Sequence, residues 1–150
     1  MILLDLFCGA GGAAAGYARA GFEVVGVDIE PQPNYPHRFM RADAVKVLAG
    51  LDYDAVAAIH ASPPCQSFTA WPCVAPPCNH AWQTPRFPPA TNRSNLRRTV
   101  EVGAYRCHKL APAAMGIDWM TNDELSEAIP PAYTEWIGRQ LAAYLKARTA

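Results

Sequence analysis

Four short stretches of this chain carry residue types whose spacing could do chemistry. "ASPPCQSF" (61–68) sets Cys65 directly behind two prolines. Prolines fix the backbone and remove hydrogen-bond donors, so the thiol that follows them is held on a stiff approach. A nucleophilic thiol needs that fixed geometry and a lowered pKa. The bland reading of a lone cysteine is a small buried hydrophobe. "DLFCGAGGAAAG" (5–16) brings Gly9, Gly11 and Gly12 together. Glycines there allow a tight turn and a close ligand, and a following helix offers free N–H groups and a partial positive charge. Asp28 follows Gly9 by nineteen residues, about the spacing at which an acid meets a ribose in dinucleotide-binding folds. Asp43 closes a third candidate segment, "RFMRAD". Cys73, Cys78 and His80, with Cys107 and His108 further on, have a spacing that a zinc ion would accept.

These groups need elements to position them. "ILLDLF" is an apolar run of strand length, and the glycine turn after it feeds an alanine-rich helix through about Ala20, closed by Gly21. "FEVVGVD" reads as a second strand ending in Asp28, "EPQPNYPH" as a proline-rich loop, and "RFMRAD" as a short third strand. "AVKVLAGL" reads as a helical turn or two, and "YDAVAAIHA" as a fourth strand running into "ASPPCQSF". Strand and helix in alternation predict a parallel sheet with helices on both faces. In such sheets the working residues lie just past the carboxyl ends of the strands. Those ends deliver Cys8–Gly12, Asp28, Asp43 and Ser62–Cys65.

Six of the fourteen prolines fall between residues 72 and 89, where both periodicities dissolve. "TVEVGAYR" (99–106) reads as one more strand. Thr121 and Glu124 form a capping-box pattern opening a short helix, and Pro130 and Pro131 separate it from the next. Ile137, Leu141, Tyr144 and Leu145 recur at helical spacing, which predicts an amphipathic C-terminal helix packed on the sheet.

The 150 residues suit one domain with a real core, and 51% hydrophobic with 17% charged residues is a globular composition. No run of apolar residues is long enough to span a membrane, and the first residues lack a basic leader. Five cysteines, unevenly spread, fit a reducing compartment, so a cytoplasmic location is expected. The net charge of zero hides an asymmetry. Residues 1–70 carry four basic and seven acidic side chains, residues 71–116 six and one, and residues 117–150 three and five. The middle third is the part suited to a polyanion, although a solvated basic loop has the same composition.

"DLFCGAGG", "GVD", "RADA" and "SPPCQSF", in this order and spacing, resemble the C5-cytosine DNA methyltransferases over residues 1–69. "AAMGIDWMTNDELSEAIPPAYTEWIGRQL" (113–141) resembles the C-terminal part of compact phage and bacterial members. The resemblance implies a Rossmann-like methyltransferase fold, S-adenosylmethionine as cofactor, and cytosine in double-stranded DNA as substrate. By similarity, Phe7, Gly9, Ala10, Gly11 and Pro63 line the cofactor. Asp28 takes the ribose hydroxyls, Ile29 packs on the adenine, and Asp43 accepts from the adenine amino group. Cys65 is the nucleophile that attacks a cytosine flipped out of the helix. Gln66, Ser67, Arg93, Arg97 and Arg98 face the DNA.

The family's Glu-Asn-Val and Gln-x-Arg-x-Arg motifs do not occur in this chain. Glu101 in "VEV" and "QTPRF" (83–87) are their nearest echoes, and Glu127 stands where the family has an asparagine. The expected organisation is a shortened member that lacks central strands after the catalytic loop. It divides into a cofactor and catalytic-loop part (1–70), a proline-rich basic remnant of the recognition region (71–112) and a C-terminal helical part completing the core (113–150). Loss of strands exposes a sheet edge, so a second chain or a homodimer is an expected partner. Two other readings stand beside this one: a cofactor-binding but inactive methyltransferase, and a small zinc- or DNA-binding module. A nicotinamide-dependent oxidoreductase would use the glycine loop but has no role for the Pro-Pro-Cys-Gln segment.

Overall fold

The computed structural model describes residues 1–63 and 111–149, and Cys65 with residues 71–110 of the proline-rich basic segment lies outside them. The first described part alternates as the sequence predicts. Strand β1 (Ile2–Leu6) leads through the glycine turn into α1 (Gly12–Arg19), then β2 (Glu23–Asp28), β3 (Arg38–Arg41), α2 (Ala44–Ala49), a 3-10 turn (Tyr53–Ala55) and β4 (Ala58–Ala61). The second part adds α3 (Ala111–Met115), α4 (Asn122–Glu127) and α5 (Pro131–Thr149).

The four strands form one all-parallel sheet in the order β3-β2-β1-β4. β1 is therefore central, which explains why Leu3, Leu4, Asp5 and Leu6 are all buried. Its two faces meet different helices. Leu3 joins Phe22, Val24, Ala14, Tyr17 and Ala142 on the face covered by α1 and α5. Leu4 and Leu6 join Val27 and Ala44, backed by Val47, Leu48 and Leu51, on the face covered by α2. The architecture is thus α/β with helices on both faces of a parallel sheet.

Local sequence explains where each helix stops and starts. Gly21 adopts φ +96°, and its N–H and that of Phe22 return to the Ala18 and Tyr17 carbonyls, so glycine closes α1 in the left-handed conformation. The Asp43 carboxylate accepts from Val45 N at 2.9 Å and caps α2. The predicted capping box is present: Thr121 Oγ1 accepts from Glu124 N at 3.3 Å, and Glu124 Oε2 accepts from Thr121 N at 2.7 Å.

One expectation is corrected. The C-terminal helix does not use all of Ile137, Leu141, Tyr144 and Leu145 as its inner stripe, although Leu141 and Leu145 do pack against the core cluster that holds Leu3 and Val24. It packs against α1, and Ile137 and Tyr144 point to solvent at 46% and 58% exposure. The inner stripe is Pro131, Thr134, Gly138 and Ala142, flanked by Leu141 and Leu145. The reason is the row Gly12, Gly16 and Ala20 on α1. A Cβ at Gly16 would collide with Thr134 Oγ1 and the Pro131 carbonyl, and one at Gly138 would come within 2.7 Å of the Ala20 methyl. Small residues on both helices let the backbones approach, and large apolar side chains would hold them apart.

Candidate cofactor-binding site

The chain runs outward from β1 to β2 and β3, then returns to lay β4 on the other side of β1. The sheet therefore reverses direction between β1 and β4, and parallel sheets bind ligands in the crevice outside the strand ends at such a point. The loop between β1 and α1 opens there. Phe7, Gly9 and Gly11 take φ values of +56°, +48° and +88°. Left-handed residues in alternation turn successive N–H groups toward one side, the concavity that favours anions and polar ligand groups. Gly9 faces open space, whereas a Cβ on Gly11 would strike Pro36 and the Tyr35 ring at 2.8 and 3.0 Å. The loop is thus braced from behind and open in front.

Asp28, at the carboxyl end of β2, ties the loop to the sheet. Its Oδ2 accepts from Gly9 N at 3.1 Å, and its Oδ1 accepts from Glu30 N at 3.0 Å. Ile29 beside it is 62% exposed, an apolar side chain left in water next to a half-exposed carboxylate. The adjoining strand end is held by Ala42 N donating to the Asp28 carbonyl and by Arg41 Nε donating to the Ile29 carbonyl. Asp43 follows directly, with its Oδ1 engaged as the α2 cap.

The fold therefore brings together Phe7, Gly9, Ala10, Gly11, Asp28, Ile29 and Asp43 along three adjacent strand ends. Pro63 follows β4 across the reversal, where Ser62 N continues the ladder to the Leu6 carbonyl at 3.1 Å. Cys65, Gln66, Ser67, Arg93, Arg97, Arg98, Glu101 and the zinc candidates Cys73, Cys78, His80, Cys107 and His108 lie outside the described residues. Among those that are described, no three metal-binding side chains gather. Cys8 is a free thiol there, but burial pushes its pKa far up, with Asp5 and Asp28 adding to the effect. It stays protonated and is unsuited to nucleophilic attack.

Four supporting groups were not legible as such in the sequence. The Trp119 indole N–H donates to the Ala10 carbonyl at 3.0 Å, so the second described part reaches into the glycine loop. The Asn34 amide donates to both carboxylate oxygens of Glu124, which fastens the proline-rich loop to α4. Tyr35 lies between Gly11 and Gly26, filling the space that both glycines leave. Tyr17 Oη, His60 Nδ1, His60 Nε2 and Ser62 Oγ form a chain with contacts of 3.1 and 2.7 Å, ending beside the Pro-Pro step. The one signal available for this last group was the two-residue spacing of His60, on β4, and Ser62, just beyond its end.

The fold and site define an α/β protein with a glycine-lined crevice at the reversal of a parallel sheet. No protein-family model, curated protein or solved structure matches the chain. Among the described residues no helix is long and apolar enough to cross a membrane.

Proposed function

We propose that the chain is a DNA (cytosine-5)-methyltransferase of shortened form, using S-adenosylmethionine. The observation that carries this reading is the hydrogen bond from Gly9 N to Asp28 Oδ2, which joins a left-handed glycine loop to an acid at the next strand end. The residues present fit the cofactor. Open space at Gly9 admits a ligand, Asp28 has acceptor capacity beyond its two backbone bonds, and exposed Ile29 offers an apolar face to an adenine. In this reading Asp28 holds the ribose hydroxyls, Ile29 packs on the adenine, Asp43 accepts from its amino group, and Phe7, Gly9, Ala10, Gly11 and Pro63 surround the remainder.

Bound there, the cofactor supplies an electrophilic methyl group. Cys65, as a thiolate, adds to C6 of a flipped cytosine. C5 gains electron density and takes the methyl, and loss of the C5 proton expels the thiolate. Arg93, Arg97 and Arg98 neutralise phosphates of double-stranded DNA, and Gln66 and Ser67 contact the target strand. The test is transfer of a labelled methyl group to DNA by the wild type and by Cys65→Ser. Transfer by the wild type and none by the variant, with cofactor binding kept in both, supports the reading.

A second reading, a cofactor-binding protein without transferase activity, is favoured by one specific observation: the chain lacks the Glu-Asn-Val acid that would assist Cys65. Binding without transfer in the wild type would select it.

A further inference from the structure

Of the ten large apolar side chains exposed among the described residues, four lie on one helix: Tyr133, Trp136, Ile137 and Tyr144 of α5, between 46% and 66% exposed. The other six are spread along residues 1–59. Apolar residues exposed singly are ordinary, but a contiguous row calls for an explanation. Spacings of three, four and seven place the four on one face of the helix. Gln140, Ala143 and Ala147, also exposed, share that face. It is the face turned away from α1, which takes Thr134, Gly138 and Ala142. Arg139 beside the row is paired with Glu135 on the same helix, and the Arg148 guanidinium lies 5.6 Å from the centroid of the Tyr144 ring. Three aromatic rings and an isoleucine at that exposure leave on the order of 500 Å² of apolar surface, the size at which a patch marks an interaction site.

The row is graded. Its bulk, Tyr133 and Trp136, lies in the first half of α5, and its alanines, Ala143 and Ala147, lie in the second. Two copies laid parallel would set ring against ring at one end and leave a gap between alanines at the other. Two copies laid antiparallel, about a two-fold axis near Gln140, set Tyr133 across from Ala147 and Trp136 across from Ala143 and Tyr144. Bulk then meets small side chains, as a close-packed contact needs, and one surface serves both copies. The opposed helix dipoles favour the same orientation. Both copies together bury about 1,000 Å², which reaches the lower bound for a specific interface. We propose that the outer face of α5 is a homodimer interface, occupied by α5 of a second copy of this chain in antiparallel orientation. It is a different surface from the sheet edge that the sequence offers to a partner.

Sedimentation velocity of the full chain over about 1–100 μM covers the affinities that a small interface allows. The wild type is expected to pass from monomer to dimer across that series. Trp136→Glu and Ala143→Lys each place an unpaired charge in the contact, and each is expected to weaken association about tenfold or more. Both positions are exposed in one copy, so the urea midpoint of the monomer should not move. The double variant, Trp136→Glu with Ala143→Lys, separates the two orientations. In the antiparallel pair the introduced acid of one copy meets the introduced base of the other, and the dimer returns. In a parallel pair like charges meet, and it does not. A wild type that stays monomeric throughout overturns the proposal, whatever else then covers the row. So does a dimer that both single variants leave intact. A dimer that the single variants break and the double variant does not restore overturns the antiparallel pairing. If one single variant does not fold, the wild-type series and the other variant decide.

Discussion

Gly16 of α1 lies directly against Thr134 of α5, with no room between them for a methyl group. The two helices meet backbone to backbone at this point, and the contact closes one face of the sheet. Substituting Gly16→Ala forces a Cβ into the Thr134 hydroxyl and the Pro131 carbonyl. The expected loss is about 2–3 kcal/mol, the upper part of the usual range for overpacking. Gly50→Ala is the control, since the only neighbour within 4 Å of a Cβ there is the Lys46 carbonyl at 3.8 Å. Chemical denaturation should separate the two by their midpoints, and equal midpoints would contradict the close helix contact.

Asp28 holds the glycine loop through Gly9 N. Asp28→Ala leaves that N–H without its charged acceptor, and bonds of this kind contribute about 1.5–3 kcal/mol. Cofactor affinity should fall about tenfold to a hundredfold, while Asp28→Asn keeps an acceptor and loses less. Calorimetry with S-adenosylmethionine measures both.

The Asp5 carboxyl makes stability depend on pH in the direction opposite to most acids. Its folded pKa of about 7 lies above the model-peptide value of 3.8, so the native state holds a proton that the unfolded chain releases in that window. The contribution of Asp5 to stability is therefore greatest below about pH 4, falls as pH rises toward 7, and levels off above it. The slope is at most about 1.4 kcal/mol per pH unit for one group. Asp5→Asn should remove this component and gain most over the wild type at pH 8. Urea melts of both proteins at pH 5, 6, 7 and 8 show whether the difference grows with pH.

Trp119→Phe deletes the indole donor to the Ala10 carbonyl but keeps an aromatic ring. A loss of about 1 kcal/mol is expected from one hydrogen bond. If the bond shapes the glycine loop, cofactor affinity drops severalfold together with stability. An affinity unchanged from the wild type would limit Trp119 to packing.

Much of the first 63 residues was legible in advance because each strand is a short apolar run bounded by glycine, proline or an acid. Gly21 and the pair Thr121 and Glu124 are local signals, and they act locally in the structure. Asp5 was hidden for the opposite reason. Within "ILLDLF" one acid does not alter the strand pattern, and its burial depends on β2 and β4 arriving on either side. Tyr35 sits in a stretch that reads only as a loop, and its part is set by two glycines, one on each side, at positions 11 and 26. On α5 apolar size is a poor guide to the inner stripe, since Ile137 and Tyr144 are exposed while Gly138 is buried. The contact follows instead from the small residues of a helix more than a hundred positions away.

That distance along the chain has a consequence for synthesis. The four described strands, within residues 2–61, have all been synthesised long before α5 leaves the ribosome. At about 5–20 residues per second, the interval from β4 to Ala142 is roughly 4–16 s. Throughout it, the apolar face built from Leu3, Phe22, Val24 and α1 lacks its outer cover. A nascent chain in that condition is a client for chaperones, and a pause in translation before Pro131 would lengthen its time at risk of aggregation.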